Sequence, residues 1–322
     1  MKTSFYTASQ DKDGGILLCE LDENGVITQR DFTPLPGVAW LAKEGGRLCA
    51  LLREPYPMQS GVLSFDITAD GRLGAPGELI PTHGSISSHL LCRDGKKYVA
   101  NYLSGTAVLL PDTMLAFSGS GPDERQRSSH PHCTTVFPSG DTLAITDLGA
   151  DRIWLCSGEL APRGSVVMPA GSGPRHLVFS ADGTAAYCSL ELASAVAVLK
   201  REGEGLRYLR SVSTVPENYR GENSAAALRL SPDGKLLFVS NRGHGSVRIF
   251  RAEGTELLPL GYVECGEGAQ LRETCPVGDF LLCADEGRHE IRVFRIGDGA
   301  APVECSRFPV VRPWSILPAD IT

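Results

Sequence analysis

One motif recurs along this chain: a short apolar strand, a turn ending in glycine, and a second apolar strand. Pro131-His132-Cys133-Thr134-Thr135-Val136-Phe137-Pro138-Ser139-Gly140 aligns with Pro174-Arg175-His176-Leu177-Val178-Phe179-Ser180-Ala181-Asp182-Gly183. Ala225-Ala226-Ala227-Leu228-Arg229-Leu230-Ser231-Pro232-Asp233-Gly234 aligns with both, and a second and third strand follow each turn. The turn glycines fall at Gly46, Gly95, Gly140, Gly183, Gly234 and Gly278, every 43–51 residues. Self-similarity at such a period marks a repeat architecture. Three or four short strands per unit, with no helical periodicity between them, predict propeller blades. Residues 15–26 supply a seventh, partial unit. The expected fold is all-β: a seven-bladed β-propeller of four-stranded antiparallel blades, one domain over residues 1–322. A WD40 array has a similar period, but none of the three tryptophans is followed by Asp. The tail, residues 303–311, is a further strand with no blade of its own. It is expected to join the N-terminal blade and close the ring, which removes exposed sheet edges. Residues 118–127 and 216–223 read as inter-blade loops.

Composition narrows the function classes. A net charge of -7 disfavours a nucleic-acid binder, which carries a basic excess. No apolar run reaches the roughly 20 residues of a membrane span. The N-terminus turns polar at Ser9-Gln10-Asp11-Lys12-Asp13, without a signal-peptide core. A cytoplasmic protein, monomeric or weakly homodimeric, is expected. The ten cysteines include no C-x-x-C pair and sit mostly among apolar strand residues. They read as small buried hydrophobes in a reducing compartment.

The repeat also locates a face. In an antiparallel blade the start of the first strand and the end of the second lie at one mouth of the central channel. Eight residues before the turn glycines stand Ser87, His132, Arg175, Ala226 and Gln270; eight after stand Glu54, Leu148, Glu191, Arg242 and Glu286. One earlier stand Asp147, Asn241 and Asp285, with Asn101 near that place in the third unit. Asx residues at a strand end bond their own backbone, so turn duty is the first expectation for them and substrate contact the second. Glu191, in Ser189-Leu190-Glu191-Leu192, has no such turn need, and Arg175 offers it a complementary charge. His130-Pro131-His132 places two imidazoles on one side of an extended segment. Such a pair is half a metal site, but no third ligand is identifiable, so hydrogen-bonding or acid–base duty is preferred. His176 and His244 flank the two arginines and either touch substrate or support residues that do. No serine-hydrolase elbow, nucleotide loop or zinc-protease motif is present. No metal and no cofactor are expected.

Ser129-His130-Pro131-His132, Asp147-Leu148-Gly149-Ala150-Asp151-Arg152, Gly173-Pro174-Arg175-His176 and Ser240-Asn241-Arg242-Gly243-His244, in this order, resemble the seven-bladed propeller lactonase family. Ala100-Asn101-Tyr102-Leu103-Ser104-Gly105 resembles that family's third blade. The family contains propeller-type 6-phosphogluconolactonases and carboxy-cis,cis-muconate lactonizing enzymes. The resemblance implies an active-site group of His130 or His132, Arg175, Glu191 and Arg242, the residues already singled out by position. Weaker substrate contacts are expected from Asn101, Asp147, His176, Asn241, His244, Arg272 and Glu286. Two departures stand out. The family's first-strand motif appears as Tyr6-Thr7-Ala8-Ser9. Its last-blade motifs appear as Leu271-Arg272-Glu273-Thr274 and Ala284-Asp285-Glu286, which are expected to add acid beside the mouth. The implied reaction is hydrolysis of an anionic sugar lactone, most simply 6-phosphogluconolactone. The alternatives are lactone chemistry on a muconate-like dicarboxylate, or a non-catalytic propeller that binds a ligand or protein.

Overall fold

The computed structural model describes residues 2–296 and 302–319. Its strands form seven antiparallel sheets, each built on four strands; six run in sequence order from the channel outward, and blade 1 has the last strand of the chain innermost. Blade 1 comprises residues 3–34 with 313–318; blades 2 to 7 span 38–81, 87–116, 131–167, 174–213, 224–264 and 271–309. Inner strands touch their neighbours in cyclic order, and Leu271–Val277 of blade 7 meets Pro313–Pro318 of blade 1. The ring is therefore closed.

All six turn glycines lie in the hairpin between a blade's first and second strands. Gly95, Gly140, Gly183, Gly234 and Gly278 have positive φ, whereas in blade 2 the left-handed residue is Gly45 rather than Gly46. The hairpins differ in length. Two residues separate the paired strands at Glu44/Arg47, Arg93/Lys96 and Val277/Phe280, and five intervene between Val136 and Thr142. Residues 118–127 and 216–223 run between blades, as the sequence predicts.

Apolar clusters fill the spaces between adjacent blades. Phe137 of blade 4 and Phe179 of blade 5 meet at 4.8 Å between ring centroids, with Ala144, Ala186 and Cys188 closing around them. The small residues allow neighbouring sheets to approach, and the rings fill what remains. All ten cysteines are free; eight are buried and Cys92 and Cys305 are half-buried.

Ring closure differs from the expectation in one respect. Residues 303–309 do not join the N-terminal blade: Val303–Pro309 pairs with Glu290–Arg295 as the outer strand of blade 7. The closing strand is Pro313–Pro318, which pairs with Thr3–Ser9. The physical reason is burial. Val303 is 63% exposed, as an outer edge allows, whereas Ile316 is 2% exposed in the cluster shared by blades 1 and 7. Replacing Ile316 with Ala is expected to cost about 2–5 kcal/mol in urea unfolding, and Val303→Ala under about 0.5 kcal/mol.

Candidate active site

The site arises from a defect repeated seven times. In every blade the inner strand carries one residue more than its partner at the same height, a β-bulge. In blade 4 Pro131 pairs with Asp147 and Cys133 with Thr146, so His132 is left unpaired. A bulged residue is released from the ladder and its side chain is re-aimed. The residues bulged at this height are Trp314, Ala39, Ser88, His132 and Arg272, with Arg175 and Ala226 at the equivalent place in blades 5 and 6. The residues leaving the second strand there are Arg53, Tyr102, Leu148, Glu191, Arg242 and Glu286.

Counting from the turn glycines therefore found blades 4, 5 and 6 and Glu286 of blade 7 correctly, and slipped in blades 2 and 3 and on the inner strand of blade 7. The shorter hairpins of blades 2, 3 and 7 place Arg53, Ser88 and Arg272 in the slots that the count assigns to Glu54, Ser87 and Gln270. Pairing also ties the bulge to the next blade. Thr146 Oγ1 accepts from the Cys133 amide at 3.1 Å and donates to the Arg175 carbonyl at 2.6 Å. Ser189 does the same between the His176 amide and the Ala226 carbonyl, at 3.1 Å each.

His132, Arg175, Glu191, Arg242 and Arg272 line one cavity of about 160 Å³, joined by Arg53, Ser88, Tyr102 and Arg125. At its centre Glu191, 3% exposed, meets three guanidiniums: Arg125 Nη2 at 2.5 Å, Arg175 Nε at 2.9 Å and Arg242 Nη2 at 3.0 Å. Burial would raise the Glu191 carboxyl, yet Arg242 and Arg175 hold it well below its ordinary 4.5. Its carboxylate is therefore a fixed counter-charge and a poor proton acceptor.

His132 is its opposite. Its Nδ1 is buried without a hydrogen-bond partner. Burial and then the Arg175 charge push the imidazole well below its ordinary 6.5, which keeps it neutral. His130 stands behind it, outside the cavity. Its ring stacks on Tyr102 at 4.5 Å, and its Nδ1 lies 2.9 Å from the Tyr102 carbonyl. The His132 ring meets the same Tyr102 edge-on at 5.8 Å. Among the described residues no three His, Cys, Asp or Glu groups converge as a metal site.

The other candidates hold the frame. His176 Nε2 accepts from Arg175 Nη1 at 2.9 Å and so orients that arginine. Asp147 accepts from the amides of His130, Gly149 and Ala150 at 2.7–3.1 Å and from Trp154 Nε1 at 2.9 Å. Asn101 binds Ser87, Thr106 and the Thr82 carbonyl; Asn241 binds Thr214 and Ser246 in the same manner. These three are buried latches between strand ends and do not line the cavity. His244 packs on Tyr219 and bonds Ser246, also away from it. The acid of blade 7 is not free at the mouth. Glu273 lies deeper and binds Arg229 through both oxygens, at 3.2 and 2.8 Å, Asp285 accepts the Gln270, Gly287 and Arg288 amides, and Glu286 binds Arg312 at 2.8 Å.

The approach to Arg175 is similarly fixed. Gly173 has a φ of +64°, and a Cβ there would sit 2.7 Å from Leu192. The Asp151 carboxylate accepts the Gly171 and Gly173 amides at 2.7 and 2.8 Å, holding the turn that delivers Pro174-Arg175. Arg125 comes from the inter-blade loop, anchored where Gln126 Nε2 donates to the Leu148 carbonyl at 2.8 Å.

Beneath this layer the channel is filled. Trp40 lies 4.5 Å from His89 and 5.5 Å from His176, and Arg229 covers Trp40 from below at 5.2 Å. Burial and the Arg229 charge lower His89 to about 3, so the plug carries no imidazolium. A cavity of about 580 Å³ opens at the opposite mouth, lined by apolar residues such as Leu41, Leu90, Leu230 and Val277. Size favours that mouth; convergent charge and unpartnered donors favour the smaller one.

Removing the Glu191 charge tests the clamp. Glu191→Gln leaves the buried Arg175 and the half-buried Arg242 without their counter-charge and is expected to cost about 3–5 kcal/mol in urea unfolding at pH 7. Because the folded carboxyl titrates below its unfolded value, its stabilisation is complete above about pH 4.5 and lost as the pH falls further. The substitution should therefore flatten that part of the acid limb.

The family model described as "Lactonase, 7-bladed beta-propeller" matches residues 3–305. An uncharacterized protein of Staphylococcus epidermidis is 29% identical over 298 residues, covering 85% of this chain and 86% of its own. Among solved structures, the Pseudomonas aeruginosa periplasmic gluconolactonase PpgL superposes with a TM-score of 0.90 at 25% identity, covering all of both chains. A Bacteroides uniformis protein with a provisional 6-phosphogluconolactonase assignment superposes with a TM-score of 0.88 at 25% identity, covering 98% of this chain and 100% of its own. With the match running from the first blade into the last, the chain belongs to the seven-bladed β-propeller lactonase family, and lactone chemistry is its class of reaction.

Proposed function

We propose that the protein hydrolyses an anionic sugar lactone, most simply 6-phosphogluconolactone to 6-phosphogluconate. The observation that carries this reading is a set of buried, unpartnered nitrogens around one cavity. His132 Nδ1 and Arg242 Nε have no hydrogen-bond partner among the described residues, while Arg175 Nε and Arg242 Nη2 face only the shared Glu191 carboxylate. Buried donors are nearly always satisfied, so a ligand oxygen is the natural missing acceptor. Structural neighbours that act on gluconolactone or carry a 6-phosphogluconolactonase assignment support the sugar-lactone class.

Hydrolysis requires an activated water, a stabilised acyl oxyanion and a protonated leaving group. Neutral His132 accepts a proton from water as the water oxygen attacks the lactone carbonyl carbon. Negative charge then gathers on the carbonyl oxygen, facing Arg175 and Arg242, whose planar forks suit an oxyanion. Collapse breaks the ring C–O bond, and the proton held by His132 passes to the departing alkoxide. Glu191 remains ionised throughout. It keeps both arginines aimed and offsets part of their charge. Besides His132, two nearby groups could accept a proton, but His130 stands outside the cavity and Glu191 is held in ion pairs. His132 is the one that fits.

The chemistry needs no cofactor, and the substrate is the partner we assign. We also place the enzyme in the cytoplasm. Ten unbridged thiols fit a reducing compartment.

Freshly prepared 6-phosphogluconolactone, corrected for spontaneous opening, provides the assay. His132→Ala is expected to lower kcat by about 10²–10⁴-fold. Arg175→Ala should approach the spontaneous rate. Parent and variants all at the spontaneous rate would refute the assignment. Because the His132 imidazole is depressed below 6.5, the base form persists in mild acid. The profile of kcat/KM should be flat between pH 8 and pH 6, with no histidine inflection near 6.5.

A further inference from the structure

Glu191 accounts for only part of the positive charge in the cavity. Five arginines line it against that one carboxylate. Arg125, Arg175 and Arg242 are tied to Glu191. Arg53 and Arg272 turn instead to Trp314, with Cζ 4.8 and 3.9 Å from the indole centroid. Among the described residues the Arg53 guanidinium makes no hydrogen bond and no ion pair. Arg272 has Glu286 at 3.8 Å, but Glu286 is hydrogen-bonded to Arg312.

Stacking on an indole uses the face of a guanidinium and leaves its N–H edge free. Crowding shows in the titration of both groups. Burial, with Arg242 and Arg175 adding to it, pushes Arg272 well below its ordinary value, and burial brings Arg53 down to about 10. Two half-buried cations on one indole favour a counter-anion, and the carboxylate nearest Arg272, Glu286, stands at 3.8 Å and is already bonded to Arg312.

The blades divide the work. His132, Arg175, Glu191 and Arg242 belong to consecutive blades 4, 5 and 6. Arg272, Trp314 and Arg53 belong to consecutive blades 7, 1 and 2, on the other side of the channel. We infer that Arg53 and Arg272, stacked on Trp314, form a subsite for a second oxyanion of the substrate, remote from the reacting carbonyl. The lactone then lies across the channel, its acyl end over blades 4–6 and its anionic end over blades 7–2. This rests on the lactonase reading for the identity of the acyl end; the anion subsite itself does not. A phosphate monoester and a carboxylate share the required chemistry.

Three lactones separate these cases: 6-phosphogluconolactone, glucaro-1,4-lactone, which carries a carboxylate, and uncharged glucono-1,5-lactone. The parent is expected to prefer one charged lactone over the neutral one by about 10–100-fold in kcat/KM. Arg53→Gln and Arg272→Gln should erase that preference, lowering kcat/KM on the charged lactone about tenfold or more beyond any loss on glucono-1,5-lactone, with the difference carried by KM. Arg53→Lys, which keeps the charge and disturbs packing least, should retain part of it. The charged lactone preferred identifies phosphate or carboxylate. No preference in the parent, or equal losses on charged and neutral lactones, would overturn the subsite.

Calorimetric titration of the folded proteins with inorganic phosphate and with malonate reads the subsite without turnover. The parent should bind at least one of them, and Arg53→Gln should weaken that binding about tenfold or more. Equal binding by both proteins, or binding of neither anion by the parent, would overturn the inference. If no lactone is hydrolysed, the lactonase reading fails while this titration still decides the subsite.

Discussion

In every blade the inner strand carries one more residue than the strand it pairs with, and the surplus residue falls at the same height of the channel. Everything distinctive about the mouth depends on that bulge. A regular ladder would alternate side chains between the two faces of the sheet and send them into the inter-blade cores. The bulge frees one residue per blade, and seven blades bring seven such positions onto one ring. Threonine and serine hydroxyls on the second strands hold it by accepting the amide freed within their own blade and donating to a carbonyl of the next. The scaffold is thus rigid where the chemistry requires fixed distances.

Charge is then distributed around the ring by residue type. A chain with a net charge of -7 concentrates five arginines at one cavity, against a single lining carboxylate. Glu191 lets three of them converge on one buried carboxylate, and its neighbours keep it ionised. Burial, with the Arg175 charge adding to it, keeps His132 neutral, so one site yields a permanent anion and a permanent base side by side. That separation of roles comes from environment rather than residue type, since both groups are intrinsically capable of accepting a proton.

Much of this was legible in the sequence because a repeat is a ruler. The glycine-ended turns gave the blade count, and counting from them reached His132, Arg175, Glu191 and Arg242. The ruler failed where hairpin length changed. Blades 2, 3 and 7 use tighter turns, which moved Arg53, Ser88 and Arg272 off the count. Tyr102 was visible in its motif, but no signal marked it as a wall between two histidines. Arg125 sits in a loop that resembles a linker, and only the folded path of that loop brings it to Glu191. Trp314 was hidden by the tail. Two strands lie there in succession, and hydropathy alone does not tell the outer strand of blade 7 from the closing strand of blade 1.

A crystal structure with the hydrolysis product, 6-phosphogluconate, bound in the channel tests the division of the mouth most directly. The product carboxylate should lie between Arg175 and Arg242 beside His132, with the phosphate against the N–H edges of Arg53 and Arg272 over Trp314. A product seated at the opposite mouth, or bound with its phosphate on Arg175 and its carboxylate on Arg53, would contradict it.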